Sequence, residues 1–129
     1  MTLKTSQNGT TWGTATLNPT VSIVPECRIS AMPPTLNLNY VSFTTSSVSA
    51  SSNFDISCTQ GTPYTMALDA TSGTLLGLNY QIALNTSSGT GTAFAQSYSV
   101  TATMAGNQSG TCSAGTCSAT ATRTITVSY

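Results

Sequence analysis

Two short runs, one toward each end of the chain, alternate apolar with polar side chains: Leu17-Asn18-Pro19-Thr20-Val21-Ser22-Ile23 and Arg123-Thr124-Ile125-Thr126-Val127-Ser128-Tyr129. Successive side chains of a strand point to opposite faces, so each run presents one apolar edge and one hydroxyl edge. The period returns in Phe54-Asp55-Ile56-Ser57-Cys58, in Tyr64-Thr65-Met66-Ala67-Leu68 and in Leu78-Asn79-Tyr80-Gln81-Ile82-Ala83-Leu84. No window keeps the apolar stripe of a helix, and clusters of Gly, Ser, Thr, Asn and Pro interrupt every run. The pattern predicts strands at 17–23, 27–31, 36–43, 53–58, 64–70, 76–84, 93–104 and 119–129. Breaks are expected at 33–34, 46–52, 60–63, 71–73, 85–91 and 106–115. Short strands at this spacing define an all-β chain with the layout of an immunoglobulin-like β-sandwich. Alternation leaves one question open: the first run can pair within its own sandwich or with a neighbouring molecule.

A length of 129 residues suits one domain with a two-layer core. Only 5% of residues are charged, three basic and three acidic, and there is no histidine. That excludes an electrostatic binder: neither the basic stripe of a nucleic-acid protein nor a polybasic membrane patch can be assembled. Roughly a third of the chain is Ser or Thr, well above ordinary usage. With 39% apolar residues placed in alternation, these hydroxyls read as the solvent face of strands rather than as disorder. Catalytic machinery is missing as well. Lys4 is the only lysine, and no nucleophile-elbow or phosphate-loop pattern occurs. Asp55 and Asp69 could be drawn as a glycosidase pair, but each sits among Ser and Thr in a strand-like setting and reads as a structural carboxylate. Trp12, Tyr40 and Phe94 read as core or rim aromatics. The sequons at Asn8, Asn85 and Asn107 arise readily by chance in such a composition.

Four cysteines, Cys27, Cys58, Cys112 and Cys117, allow three pairings. Without histidine and without zinc-type spacing, no metal site or cofactor is expected. Disulfides are the better reading and imply an oxidising compartment. Proximity favours Cys112 with Cys117 as a small loop staple, leaving Cys27 with Cys58. No stretch reaches the ~20 apolar residues of a membrane helix, so no membrane insertion is expected. Residues 1–14 contain no apolar leader core. Export is therefore inferred from the cysteines, with the leader expected upstream of this numbering.

The order of the pieces resembles a known family. A cysteine follows the first alternating run, then come Ser30-Ala31 and Leu36-Asn37-Leu38. Ile-Ser-Cys-Thr-Gln-Gly-Thr-Pro-Tyr-Thr-Met-Ala-Leu-Asp follows at residues 56–69, then Leu-Asn-Tyr-Gln-Ile-Ala-Leu at 78–84, and a Thr/Val strand closes on Tyr129. From about residue 17 to residue 129 this resembles the spore coat protein U domain, the subunit fold of archaic chaperone–usher pili. The Trp-Gly pair usual in the middle of that family is absent there, and residues 1–14 have no counterpart in it.

The resemblance implies a sandwich that is incomplete alone and is completed by a donor strand from a neighbouring subunit. It divides the chain into an extension, residues 1–23, carrying the donor strand at about 15–23, and a pilin-like domain, residues 24–129. The implied donor face is Leu17, Pro19, Val21 and Ile23, with Ala15 as a further contact. Ile125, Val127 and Tyr129 would line the acceptor groove. Arg123 shares their parity and is expected to start the strand and reach solvent. Implied partners are identical subunits in a head-to-tail filament, with a periplasmic chaperone and an outer-membrane usher during assembly; the implied location is an extracellular cell-surface fibre serving attachment and biofilm formation. Two alternatives share the fold: a self-complete secreted tip adhesin or binding module, and a spore coat protein.

Overall fold

The computed structural model describes residues 2–7 and 10–129, with side chains from residue 13 onward. Among the described residues every regular element is a strand: β1 (Thr2–Gln7), β2 (Thr10–Thr16), β3 (Cys27–Ala31), β4 (Val48–Cys58), β5 (Pro63–Leu68), β6 (Ser72–Leu75), β7 (Leu78–Leu84), β8 (Ser88–Thr90), β9 (Ala95–Met104) and β10 (Ile125–Ser128). They form a five-stranded sheet in the order β3-β4-β9-β7-β6, a three-stranded sheet in the order β10-β5-β8, and a separate β1-β2 hairpin. All the pairings are antiparallel. The two larger sheets make the immunoglobulin-like sandwich that the alternation predicts, consistent with the pilin type that the resemblance implies.

The spine is the β4–β9 ladder, which runs from Val48 opposite Met104 to Ser57 opposite Ala95. Along β4 the inward positions are Ser52, Phe54, Ile56 and Cys58. Tyr64 and Met66 of β5 and Tyr80 and Ile82 of β7 meet them in one cluster with Val100 and Met104 of β9. Phe54 and Ile56 are fully enclosed. Each such side chain contributes roughly 1.5–3 kcal/mol by leaving water. The Cys27–Cys58 disulfide joins residues directly opposite each other in the β3–β4 ladder, with Cα atoms 4.1 Å apart. The Cys112–Cys117 disulfide closes a small loop between β9 and β10, Cα atoms 5.8 Å apart.

The strands differ from expectation where neighbours overrule local composition. Residues 46–52, expected as a break, include the start of β4. There the β9 ladder supplies partners that Ser and Ala alone do not advertise, including a Ser51–Thr101 hydroxyl pair at 2.6 Å. Residues 36–43 are no strand: Leu36, Leu38 and Tyr40 keep the alternation and lie half-buried against the core, yet no ladder reaches them. That segment ends in a turn, where Thr44 N–H donates to Val41 O at 3.0 Å. Only residues 125–128 of the expected 119–129 strand are paired. Strand β6 begins within the expected break at 71–73 and β8 lies within that at 85–91, as partners of β7 and β5.

Candidate functional site

The core is finished on one side and half-covered on the other. All the fully buried apolar side chains come from β4, β5, β7 and β9. No residue of β3, of segment 36–40 or of β10 is fully buried; Cys27, Ile29, Leu36, Leu38, Tyr40, Ile125 and Val127 stop at partial burial. Strand β10 pairs with β5 along one edge and has no ladder partner along the other, and β3 likewise pairs only with β4. The two free edges lie on the same side, where β10 approaches β3 without pairing.

Residues 17–26 follow the hairpin and join no sheet. Leu17 is 49% exposed, Val21 88%, Ile23 75% and Val24 85%, so this run holds apolar side chains in water beside a sandwich that has a free edge. Pro19 is exposed as well. At the other end Ile125 and Val127 turn toward the core while Thr126 and Ser128 face outward. Tyr129 lies beyond β10 and is exposed.

Arg123 reaches solvent only in part, with its side chain 27% exposed, and turns inward instead. Its Nη2 donates to the Tyr80 hydroxyl at 2.6 Å and to Ser72 O at 3.3 Å, and its guanidinium lies 5.6 Å from the centre of the Tyr80 ring. Nη1 stands 3.8 Å from the Asp69 carboxylate. The Asp69 carboxylate also accepts from Thr124 N–H at 3.2 Å and from Ala70 N–H at 3.0 Å, while Asp69 N–H donates to Thr124 O at 3.0 Å. Asp69 is therefore a structural carboxylate that continues the β5–β10 pairing by one residue. A guanidinium is weakly hydrated and stacks well on an aromatic face, which is why this cation folds inward. Its placement on the apolar parity was the one available sequence signal for this cluster.

Other polar ties had no such signal. Tyr64 hydroxyl pairs with the Tyr98 hydroxyl and donates to Gln96 Oε1 at 3.2 Å, linking β5 to β9 across the sandwich. Burial, helped by the Tyr98 hydroxyl, raises the Tyr64 phenol above its ordinary range. Gln108 N–H donates to the Tyr40 hydroxyl at 3.0 Å, Gln108 O accepts from Phe43 N–H at 2.8 Å, and its side-chain amide bonds both backbone groups of Asn79. One residue thus fixes segment 40–43 and the start of β7. Tyr40 is a rim aromatic of this kind, Phe94 is exposed, and Trp12 lies outside the residues whose side chains are described.

A cleft of about 460 Å³ beside Tyr80 is lined by Ser47, Ser72, Thr74, Asn79, Gln81 and Thr103, with no carboxylate, imidazole or thiol. Among the described residues no three His, Cys, Asp or Glu side chains gather, and no helix is long and apolar enough to cross a membrane.

The site is thus the free sheet edge of a disulfide-stapled, hydroxyl-rich sandwich. The Spore Coat Protein U domain model matches residues 13–87, and the chain belongs to that family. The match runs from within β2 through β7; β8, β9 and β10 lie beyond it. The family is one of structural subunits associated with chaperone–usher pili, which are exported to the cell surface. Neither a curated protein nor a solved structure matches the chain.

Proposed function

We propose that this chain is a non-enzymatic structural subunit of an extracellular adhesive pilus of the archaic chaperone–usher type, polymerised by donor-strand exchange and serving attachment and biofilm formation. Residues 1–23 act as the extension and residues 24–129 as the acceptor domain. Leu17, Pro19, Val21 and Ile23 of one copy insert beside β10 of the next, where Ile125 and Val127 form a wall and Tyr129 the rim. Before assembly a periplasmic chaperone strand holds the same place, and an outer-membrane usher exchanges it.

One observation carries this reading: an apolar run, 75–88% exposed at Val21, Ile23 and Val24, precedes a sandwich whose β10 has a free edge and an unfinished apolar face. Strand addition satisfies both at once, since main-chain bonds supply affinity and alternate side chains supply register. Burying Leu17, Val21 and Ile23 contributes roughly 1.5–3 kcal/mol each, while ordering the run costs roughly 1–2 kcal/mol per residue. The two terms are of similar size and largely cancel, so durability of the joint is kinetic: extraction must break many contacts together. Pro19 fits where its missing N–H faces away from the ladder. A head-to-tail joint of this kind propagates as a filament instead of closing.

Removal of residues 1–23 tests the reading. The full chain should form heat-resistant ladders of oligomers and thin fibres by electron microscopy, and the shortened chain should remain unassembled. Normal assembly of the shortened chain would exclude donor exchange. A self-complete adhesin or binding module would instead run as a monodisperse monomer at full length.

A further inference from the structure

The apolar row of β10 is short and ends abruptly. Positions 123, 125, 127 and 129 share one face, but only Ile125 and Val127 are apolar and half-buried. Arg123 ends the row: its guanidinium crosses from the three-stranded sheet to Ser72 at the start of β6 and to Tyr80 of β7 in the five-stranded sheet. Space is reserved for it. A methyl group at Gly73 would lie 2.5 Å from Arg123 Nη2 and from the Tyr80 hydroxyl. The position is held from its own sheet as well, by Asp69 at the end of β5. Buried Nε has no hydrogen-bond partner among the described residues, while the side chain as a whole keeps 27% of its surface in water.

We propose that Arg123 is the register stop of the acceptor strand, a specificity determinant that limits how far along β10 a donor's apolar row can extend. The inference rests on the donor-strand reading above. Side chains directly opposite in a ladder stand about 4.5–5.5 Å apart at Cβ, so the donor position facing residue 123 sets its side chain beside a cation. A large apolar group there would strip remaining water from the guanidinium and offer no acceptor in return. The row of Leu17, Pro19, Val21 and Ile23 is flanked by Ala15 on one side and Pro25 on the other. Neither flank carries a long aliphatic side chain. A slip of two residues would keep the apolar face inward and escape the parity rule; a charged stop prevents it.

The test uses the full chain and synthetic peptides of residues 15–26 as inhibitors of ladder formation. Three are compared: the natural peptide, one with Ala15→Leu and one with Pro25→Leu. On the natural chain, the peptide extended at the end that faces Arg123 should be weaker than the natural peptide by about tenfold, and the other should not. On the Arg123→Met chain that difference should vanish. Tyr80→Phe removes the hydroxyl that holds the guanidinium while keeping the ring, and should shrink the difference in the same direction; it decides the matter where Arg123→Met does not fold. A purely structural role for Arg123 would move all three peptides together, so an unchanged rank order on all chains overturns the stop. Failure of the natural peptide to block assembly, with ladders still formed by the chain lacking residues 1–23, removes the donor-strand reading itself and the stop with it.

Discussion

Gly73 and Gly89 are small for the same reason: each lies under a polar tie between the sheets. At Gly89 a methyl group would stand 2.5 Å from the Tyr98 hydroxyl and 2.6 Å from that of Tyr64. Gly73→Ala should cost about 1–3 kcal/mol by displacing Arg123 from Tyr80, read as a lowered urea midpoint at unchanged slope. Tyr64 adds a pH dependence of definite sign. Its folded-state proton affinity is raised, by burial first and by Tyr98 second. The unfolded chain therefore ionises at lower pH, near 10 for an ordinary tyrosine. The stability held by the neutral phenol is complete below that value and is lost as pH rises above it. Tyr64→Phe should flatten the alkaline limb of a stability–pH curve measured by chemical denaturation. Phe43 is a third case. It occupies a left-handed conformation, φ 63°, at the turn closed by Thr44 and Val41, with its ring largely exposed. Such a turn position favours glycine, so Phe43→Gly should raise stability by about 1 kcal/mol. None of these ties was visible in the sequence beyond the odd parity of Arg123, because each joins residues far apart in the chain.

At the scale of elements, alternation located most strands and misplaced those whose pairing is decided elsewhere. β5, β7 and β9 lie close to their expected positions because large apolar side chains alternate through them. The beginning of β4 carries mostly Ser and Ala and looks like a loop, but β9 pairs with its whole length. Segment 36–40 is the converse, with strand-like alternation and half-buried Leu36, Leu38 and Tyr40 but no neighbour to pair with. The disulfides should differ in weight. By chain-entropy arithmetic, replacing Cys27 and Cys58, separated by 31 residues, should cost about 3–4 kcal/mol. Replacing Cys112 and Cys117, separated by 5, should cost about 2 kcal/mol. Thermal unfolding of the two double-alanine chains checks the order. The larger effect also loosens β3, which borders the free edge.

For the whole molecule, residues 17–24 pair with no sheet of their own chain and Val21, Ile23 and Val24 are 75–88% exposed, so folding and assembly should separate cleanly under substitution. Val21→Asp or Ile23→Asp should leave the unfolding midpoint of the unassembled chain within about 0.5 kcal/mol of the natural value. Either should abolish the ladders, since a carboxylate would then be buried without a partner. Gel analysis of unheated and heated samples gives the second readout, and circular dichroism in urea the first. The amino-acid order by itself determined the all-β class, the expectation of disulfides and the two faces of every run, because side-chain direction in a strand depends only on a period of two. It also carried the family signature across residues 13–87. Tertiary structure alone decided which runs became paired strands, that Arg123 turns inward onto Tyr80, and that β3, segment 36–40 and β10 leave the core half-covered on one side. Pairing and burial are relations between distant residues, and a local pattern states what each segment can offer without stating whether a neighbour arrives to take it.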